Sequence, residues 1–469
     1  MAATLLSFSV GNFKSIQDVQ TVRFHAGPSS DKDLSPNPVT VLLGANASGK
    51  SNLLEAMDFA LTAVRQSATV WLEDDFFYKN SVSPFLLDDY SDKKPSFFEF
   101  DFIIKGIRYL YGFEYSYNGV EEEWMHYVPS KKWTPVFTRS TNSTESSTTW
   151  EWNTSAVPKS LQKEFERGGR RELVLSLAAR ANADKIGAMV KELTRSISFL
   201  PLGDSHKDQR LSQIAQSMRH EKLQLSEVTR MMQAADTGIE NVSIDEDNLP
   251  AELAELAKRL TQTLSEREKE KKTHRRMGGI RFSPEQGSYI EMSDENLKAI
   301  AYQLLFTHRG EKGARPLKTQ DQSDGTLTWL SVAPNIVDAL RDGNIVVADE
   351  LDSSLHSQLL GLVVEAFTDE TTNIHEAQLI FSSHDTNLLE NRKALRLPES
   401  AFWFVSKNSA GASEVYPLTD FSLHADANYE RRYLSGRYGA VPHVSPALLR
   451  DLVLETVNVE NSPEGRSDG

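Results

Sequence analysis

Four short stretches of this chain carry side chains that could work together on a nucleoside triphosphate. The first, Gly44-Ala45-Asn46-Ala47-Ser48-Gly49-Lys50-Ser51, has glycines at its first and sixth places, then a lysine and a hydroxyl. Such a loop curls until its backbone N–H groups and the following helix N-terminus face a β-phosphate, with Lys50 reaching the β/γ oxygens and Ser51 ligating Mg2+. Gly44, Asn46, Ala47, Ser48, Gly49, Lys50, Ser51 and Asn52 are therefore the expected nucleotide contacts. The second, Asn344-Ile345-Val346-Val347-Ala348-Asp349-Glu350, is an apolar run ending in two acids. Asp349 could hold Mg2+ and Glu350 could orient or deprotonate the attacking water. The blander reading is an acidic cap on the helix that Asp352-Ser353-Ser354 could start. The third, Leu379-Ile380-Phe381-Ser382-Ser383-His384-Asp385, ends a second apolar run in a histidine that could hydrogen-bond the γ-phosphate. The fourth, Ser323-Asp324-Gly325-Thr326, opens a helical run, where a serine, a glycine and a helix N-terminus together could make a second anion site through Ser323 and Gly325.

Chemistry at these positions needs a sheet whose strand ends lie along one edge. Val39–Leu43 reads as a buried strand entering the glycine loop, and SNLLEAMDFALTAVRQ spaces its apolar residues as an amphipathic helix leaving it. Leu5–Val10 with Asn12-Phe13-Lys14-Ser15 reads as a strand and turn. Alternating aromatic and aliphatic residues from Pro95 to Val136 predict an antiparallel meander turning at Asn118-Gly119, and the Ser/Thr-rich stretch around 130–155 predicts a surface excursion with a last hairpin. Residues 156–275 carry mostly helical patterns, a short strand-like region follows near Ile280–Met292, and α/β patterning then continues to about 410. The expected fold is α/β: a P-loop ATPase head with an antiparallel β subdomain and a helical insertion. Its expected parts are 1–155 (first half of the head), 156–278 (helical insertion), 279–445 (second half of the head) and 446–469 (a short helix and polar tail).

Bulk properties bound the remaining choices. A length of 469 residues suggests roughly two to three compact units, and 39% hydrophobic with 25% charged residues describes a folded chain. With no cysteine, disulfides, thiolate zinc sites and cysteine nucleophiles are all excluded. No leader-like N-terminus and no long uncharged apolar stretch is found, so a cytoplasmic protein without a membrane partner is expected. The net charge of −15 opposes general attraction to nucleic acid. A local basic run (Lys258, Arg259, Arg267, Lys269, Lys271, Lys272, Arg275 and Arg276) is interrupted by Glu266, Glu268 and Glu270, and reads first as a solvated helix.

The order FSVGNFKSI, GANASGKS, SDGT, VVADELDSSLH and FSSHD resembles the ABC-type ATPases grouped with SMC, RecF and OLD proteins. More narrowly, PSFFEFDFIIKGIRYLYGFEY and NYERRYLSGRYGAVP resemble prokaryotic anti-phage defence ATPases of the PARIS, Septu and RloA type. The resemblance implies a homo-oligomer, at least a dimer that sandwiches two ATP molecules, each site joining Lys50 and Glu350 of one copy to Ser323 and Gly325 of the other. It implies slow, partner-regulated hydrolysis of ATP with Mg2+, in a sensor and scaffold that holds and releases a separate nuclease or toxin effector, with a phage protein or DNA as trigger. The polar C-terminal stretch resembles no second nuclease domain of the OLD kind. A RecF-like DNA-repair ATPase is the alternative, and a transporter motor a more distant one, since 298 residues separate Ser51 from Asp349. Asp352 either couples the two copies or caps a helix, and His356 has no fixed role. Asp88, Asp89 and Gln322 are the candidates for the residue linking nucleotide to insertion.

Overall fold

The computed structural model describes residues 2–27, 34–73, 82–142, 147–181, 184–200, 204–248, 281–282, 288–292, 299–311, 313–422, 428–441, 445–448, 450 and 452. The basic run at 258–276, and most of the C-terminal stretch 446–469, lie outside them.

A six-stranded sheet organises the molecule, in the order Ile197–Leu200, Ile345–Ala348, Gln378–Ser383, Val39–Leu43, Phe402–Lys407, Ser413–Pro417. The first five strands are parallel and the last antiparallel. Parallel strands are covered on both faces and so read as unbroken apolar runs. Here the two-residue period divides the core: Leu42, Ile345, Val347 and Ile380 join one apolar cluster, and Val39, Val41, Leu43, Val346, Ala348, Leu379 and Phe381 join another. Because Ser383 pairs with Leu43 and Ala348 with Phe381, the segments that follow these strands leave the same edge.

A seven-stranded antiparallel sheet packs into the first cluster. It runs from Ser147–Trp152 through Thr134–Asn142, Gly119–Val128, Ile107–Ser116 and Ser96–Ile104 to Thr4–Gly11 and Gln20–Arg23. The expected meander and last hairpin are thus present, and the turn opposes Ser116 to Gly119, whose φ of 121° suits glycine. The glycine-loop helix Lys50–Gln66 buries Leu53, Leu54, Met57, Leu61 and Val64 in the same cluster.

Residues 156–278 hold the expected helices, among them Val174–Arg180, Asp184–Ser196, Asp204–Arg219 and Leu225–Ala234. Among the described residues they also hold two strands, which the mostly helical pattern did not signal. Ile197–Leu200 follows Asp184–Ser196 without a break and becomes the edge of the parallel sheet beside Ile345–Ala348. Ile239–Asn248 pairs with Ala299–His308 in a third sheet that also includes Ser288–Met292, Arg281–Phe282 and Arg315–Lys318. Both partners are distant in sequence, and acidic Glu240, Asp245, Glu246 and Asp247 weaken the second strand's local signal. Among the described residues no helix is long and apolar enough to cross a membrane.

Candidate functional site

The glycine loop is shaped by contacts that leave no room for side chains. A Cβ at Gly44 would lie 2.3 Å from the Val405 carbonyl oxygen, and one at Gly49 would lie 2.1 Å from Ser413 Oγ. Gly49 also has φ of 115° and precedes the first turn of Lys50–Gln66, while Ala47 accepts a left-handed φ of 60°. Lys50 is only 5% exposed and its Nζ donates to the Gly44 and Ala45 carbonyls at 2.8 and 3.2 Å. Burial lowers the pKa of this amine, opposed by Glu350, Asp349 and Asp352. Ser48 Oγ is buried without a hydrogen-bond partner, an orphaned polar atom in the loop itself.

A relay of hydroxyls fixes the loop from behind. Asn52 Nδ2 donates to Ser15 Oγ at 2.6 Å, Ser15 and Ser413 share a hydrogen bond of 2.7 Å, and Ser413 Oγ donates to the Ser48 carbonyl at 2.6 Å. Ser15 belongs to the Asn12–Ser15 turn, in which Asn12 and Lys14 adopt φ near 50°. Asn12 Nδ2 donates to the carbonyls of Ser91, Lys94 and Pro95, and Asn12 Oδ1 accepts from Phe85 N–H. The N-terminal turn therefore ties the loop to the first antiparallel strands.

Ser382 organises the acidic pair. Its Oγ donates to Asp349 Oδ1 at 2.5 Å and accepts from Glu350 N–H at 2.7 Å. Glu350 sits at φ 52°, ψ 49°, a left-handed conformation that costs of order 1–3 kcal/mol in a non-glycine residue and concentrates at working sites. His384 Nε2 lies 3.7 Å from Glu350 Oε1, and His384 N–H donates to Asp352 Oδ2 at 2.8 Å. Asp352 thus anchors the histidine segment, and its other oxygen is buried without a partner. His356 caps the helix Ser357–Thr368, accepting from Gln358 N–H.

Asn46 to Asn52, Glu350 and His384 come together around one cavity of about 690 Å3, which Lys407 also lines. Asp349 stands beside it, joined through Ser382. Ser323 and Gly325 do not line it. Ser323 caps the helix Asp324–Asp342 through Thr326 N–H, and the space around Gly325 is open within 4 Å of a would-be Cβ. Asp88, Asp89 and Gln322 do not line it either: Asp88 accepts from Ser91 N–H and Gln17, and Gln322 bonds His308 Nε2 at 2.8 Å. Lys407, Ser382, Ser413 and Ser15 are the site residues that sequence spacing does not single out.

The donor set fits a Mg-nucleotide. Among the described residues no cluster of three His or acidic side chains could hold a metal alone. Mg2+ suits such a site, because it takes one or two protein oxygens and completes its shell with phosphate and water. The Ser51 hydroxyl and the Asp349 carboxylate would hold it.

The sequence matches, over residues 39–390, the family described as "AAA domain, putative AbiEii toxin, Type IV TA system". No curated protein matches the chain. The matched segment runs from the strand entering the glycine loop past His384 and covers well over half of the 469 residues. The chain therefore belongs to this family of AAA domains, P-loop ATPases of the abortive-infection type.

Proposed function

We propose that this chain is an ABC-type ATPase that serves as sensor and scaffold of an anti-phage defence system, holding and releasing a separate nuclease or toxin according to its nucleotide state. The ATPase part of the reading rests on the convergence of Lys50, Glu350 and His384, which follow three strands of the parallel sheet, on one cavity, and its defence context rests on the family match. Lys50 would exchange its loop carbonyls for β/γ oxygens, Glu350 would orient and deprotonate the attacking water, and His384 would hydrogen-bond the γ-phosphate. Bound Mg2+ would neutralise charge on the phosphate oxygens.

In this reading the signature Ser323-Asp324-Gly325 acts in trans. Ser323 and Gly325 do not line their own chain's cavity, and with the open space at Gly325 this favours a second copy as the place where the segment binds phosphate. ATP would then hold two copies together and hydrolysis would release them, so that a partner with differential affinity for the two states is gained or lost. Affinity capture of Glu350→Gln, expressed with its neighbouring genes, tests the biology. A stoichiometric nuclease or toxin is the expected companion; recovery of DNA alone would replace this function with RecF-like repair.

A further inference from the structure

We infer that Lys407 is a nucleotide-positioning residue that contacts the phosphate nearest the nucleoside, the α-phosphate, from the wall opposite Glu350 and His384. This rests on the reading of the cavity as an ATP site. Sheet order supplies the geometry. Glu350 and His384 follow Ile345–Ala348 and Gln378–Ser383, which both lie on one flank of the loop strand Val39–Leu43. Lys407 ends Phe402–Lys407, the strand on the opposite flank. The γ-phosphate must sit beside the water-activating Glu350. A phosphate chain laid across the loop from that flank therefore directs its nucleoside end toward Lys407.

Two features separate Lys407 from an ordinary solvated lysine. First, its backbone is registered to the loop: Lys407 pairs with Ser413, whose hydroxyl donates to the Ser48 carbonyl and whose N–H donates to the Ser15 carbonyl at 2.7 Å. The strand end cannot move independently of the residues that cradle phosphate. Second, Lys407 is exposed, lines the cavity, and has no ion-pair partner among the described residues. Lys50, the other lysine lining the cavity, comes from the loop itself. An ATP or ADP polyphosphate would thus meet one cation from the loop and a second from the flank beyond it, with Lys407 acting on groups that both nucleotides share.

The test is binding of ATP and of ADP, each with Mg2+, to the full chain and to its Lys407→Met, Lys407→Arg and Lys50→Met variants, together with steady-state turnover. Losing one charge-assisted contact should weaken ATP and ADP by the same factor, about tenfold. KM should rise while kcat at saturation is retained, and arginine should restore affinity. A loss confined to ATP would place Lys407 at the γ-phosphate and overturn the assignment, as would unchanged affinity for both nucleotides. If instead Lys50→Met binds ATP as tightly as the native chain, the ATP-site reading itself fails, whatever Lys407→Met does. Because the side chain is exposed, an unchanged thermal midpoint confirms that the variant is folded.

Discussion

The roles proposed for Lys50 and Glu350 at the cavity are separable by experiment. Lys50 is held on the Gly44 and Ala45 carbonyls, poised to exchange them for phosphate oxygens. Lys50→Ala should weaken ATP binding by about 10–100-fold in calorimetric titration; native affinity would remove the lysine from the site. Glu350→Gln keeps the side chain's shape but cannot take a proton, so ATP should still bind while turnover falls about 10²–10⁴-fold in a phosphate-release assay. Ser382 adds a dependence that single-residue reading of the acids would miss. Its buried hydroxyl serves Asp349 and the Glu350 N–H together, so Ser382→Ala leaves two polar groups short of a partner and should cost about 1–3 kcal/mol of stability in denaturant unfolding. Native stability in that variant would show that the link is dispensable.

Elements bring these residues into range, and one buried group holds two of them together. Glu123, on the strand Gly119–Val128, accepts from Val174 N–H at the start of Val174–Arg180 and from the Tyr111 hydroxyl at 3.0 Å, with Arg139 at 3.8 Å. Burial pushes its carboxyl from the ordinary 4.5 up to about 7, against the pull of Arg139 and of these donors. A raised folded pKa means that the folded chain keeps this proton while the unfolded chain loses it. The resulting stability is full below about 4.5 and is lost as pH rises to about 7. Glu123→Gln, which cannot ionise, should flatten that part of the stability profile in thermal melts across the window; an unchanged slope would show that Glu123 does not titrate there. The glycine loop, its strand and helix, and the acidic and histidine strand ends were legible in the sequence because each is a local spacing of residue types. Lys407, Ser413 and the strand Ile197–Leu200 were not. Ser413 reaches Ser48 across 365 positions, and Ile197–Leu200 is a strand only because Ile345–Ala348 pairs with it. Non-local pairing leaves no mark on short-range periodicity.

At the scale of the whole molecule, Ser323 and Gly325 do not line the cavity, so the proposed function requires a second copy to complete the site. Closure against a second copy would bring the open N-terminus of the helix Asp324–Asp342 to the γ-phosphate of its partner. The state of assembly would then report the nucleotide, which is the property the proposed scaffold for a separate effector requires. Sedimentation of Glu350→Gln with Mg-ATP and with Mg-ADP, alongside the same protein carrying Gly325→Glu, tests this claim most directly. The expected result is a dimer or larger species with ATP, its loss with ADP, and no ATP-dependent assembly once Gly325 is replaced. An unchanged mass across all nucleotide states, or full ATP-dependent assembly in the Gly325→Glu variant, would contradict it.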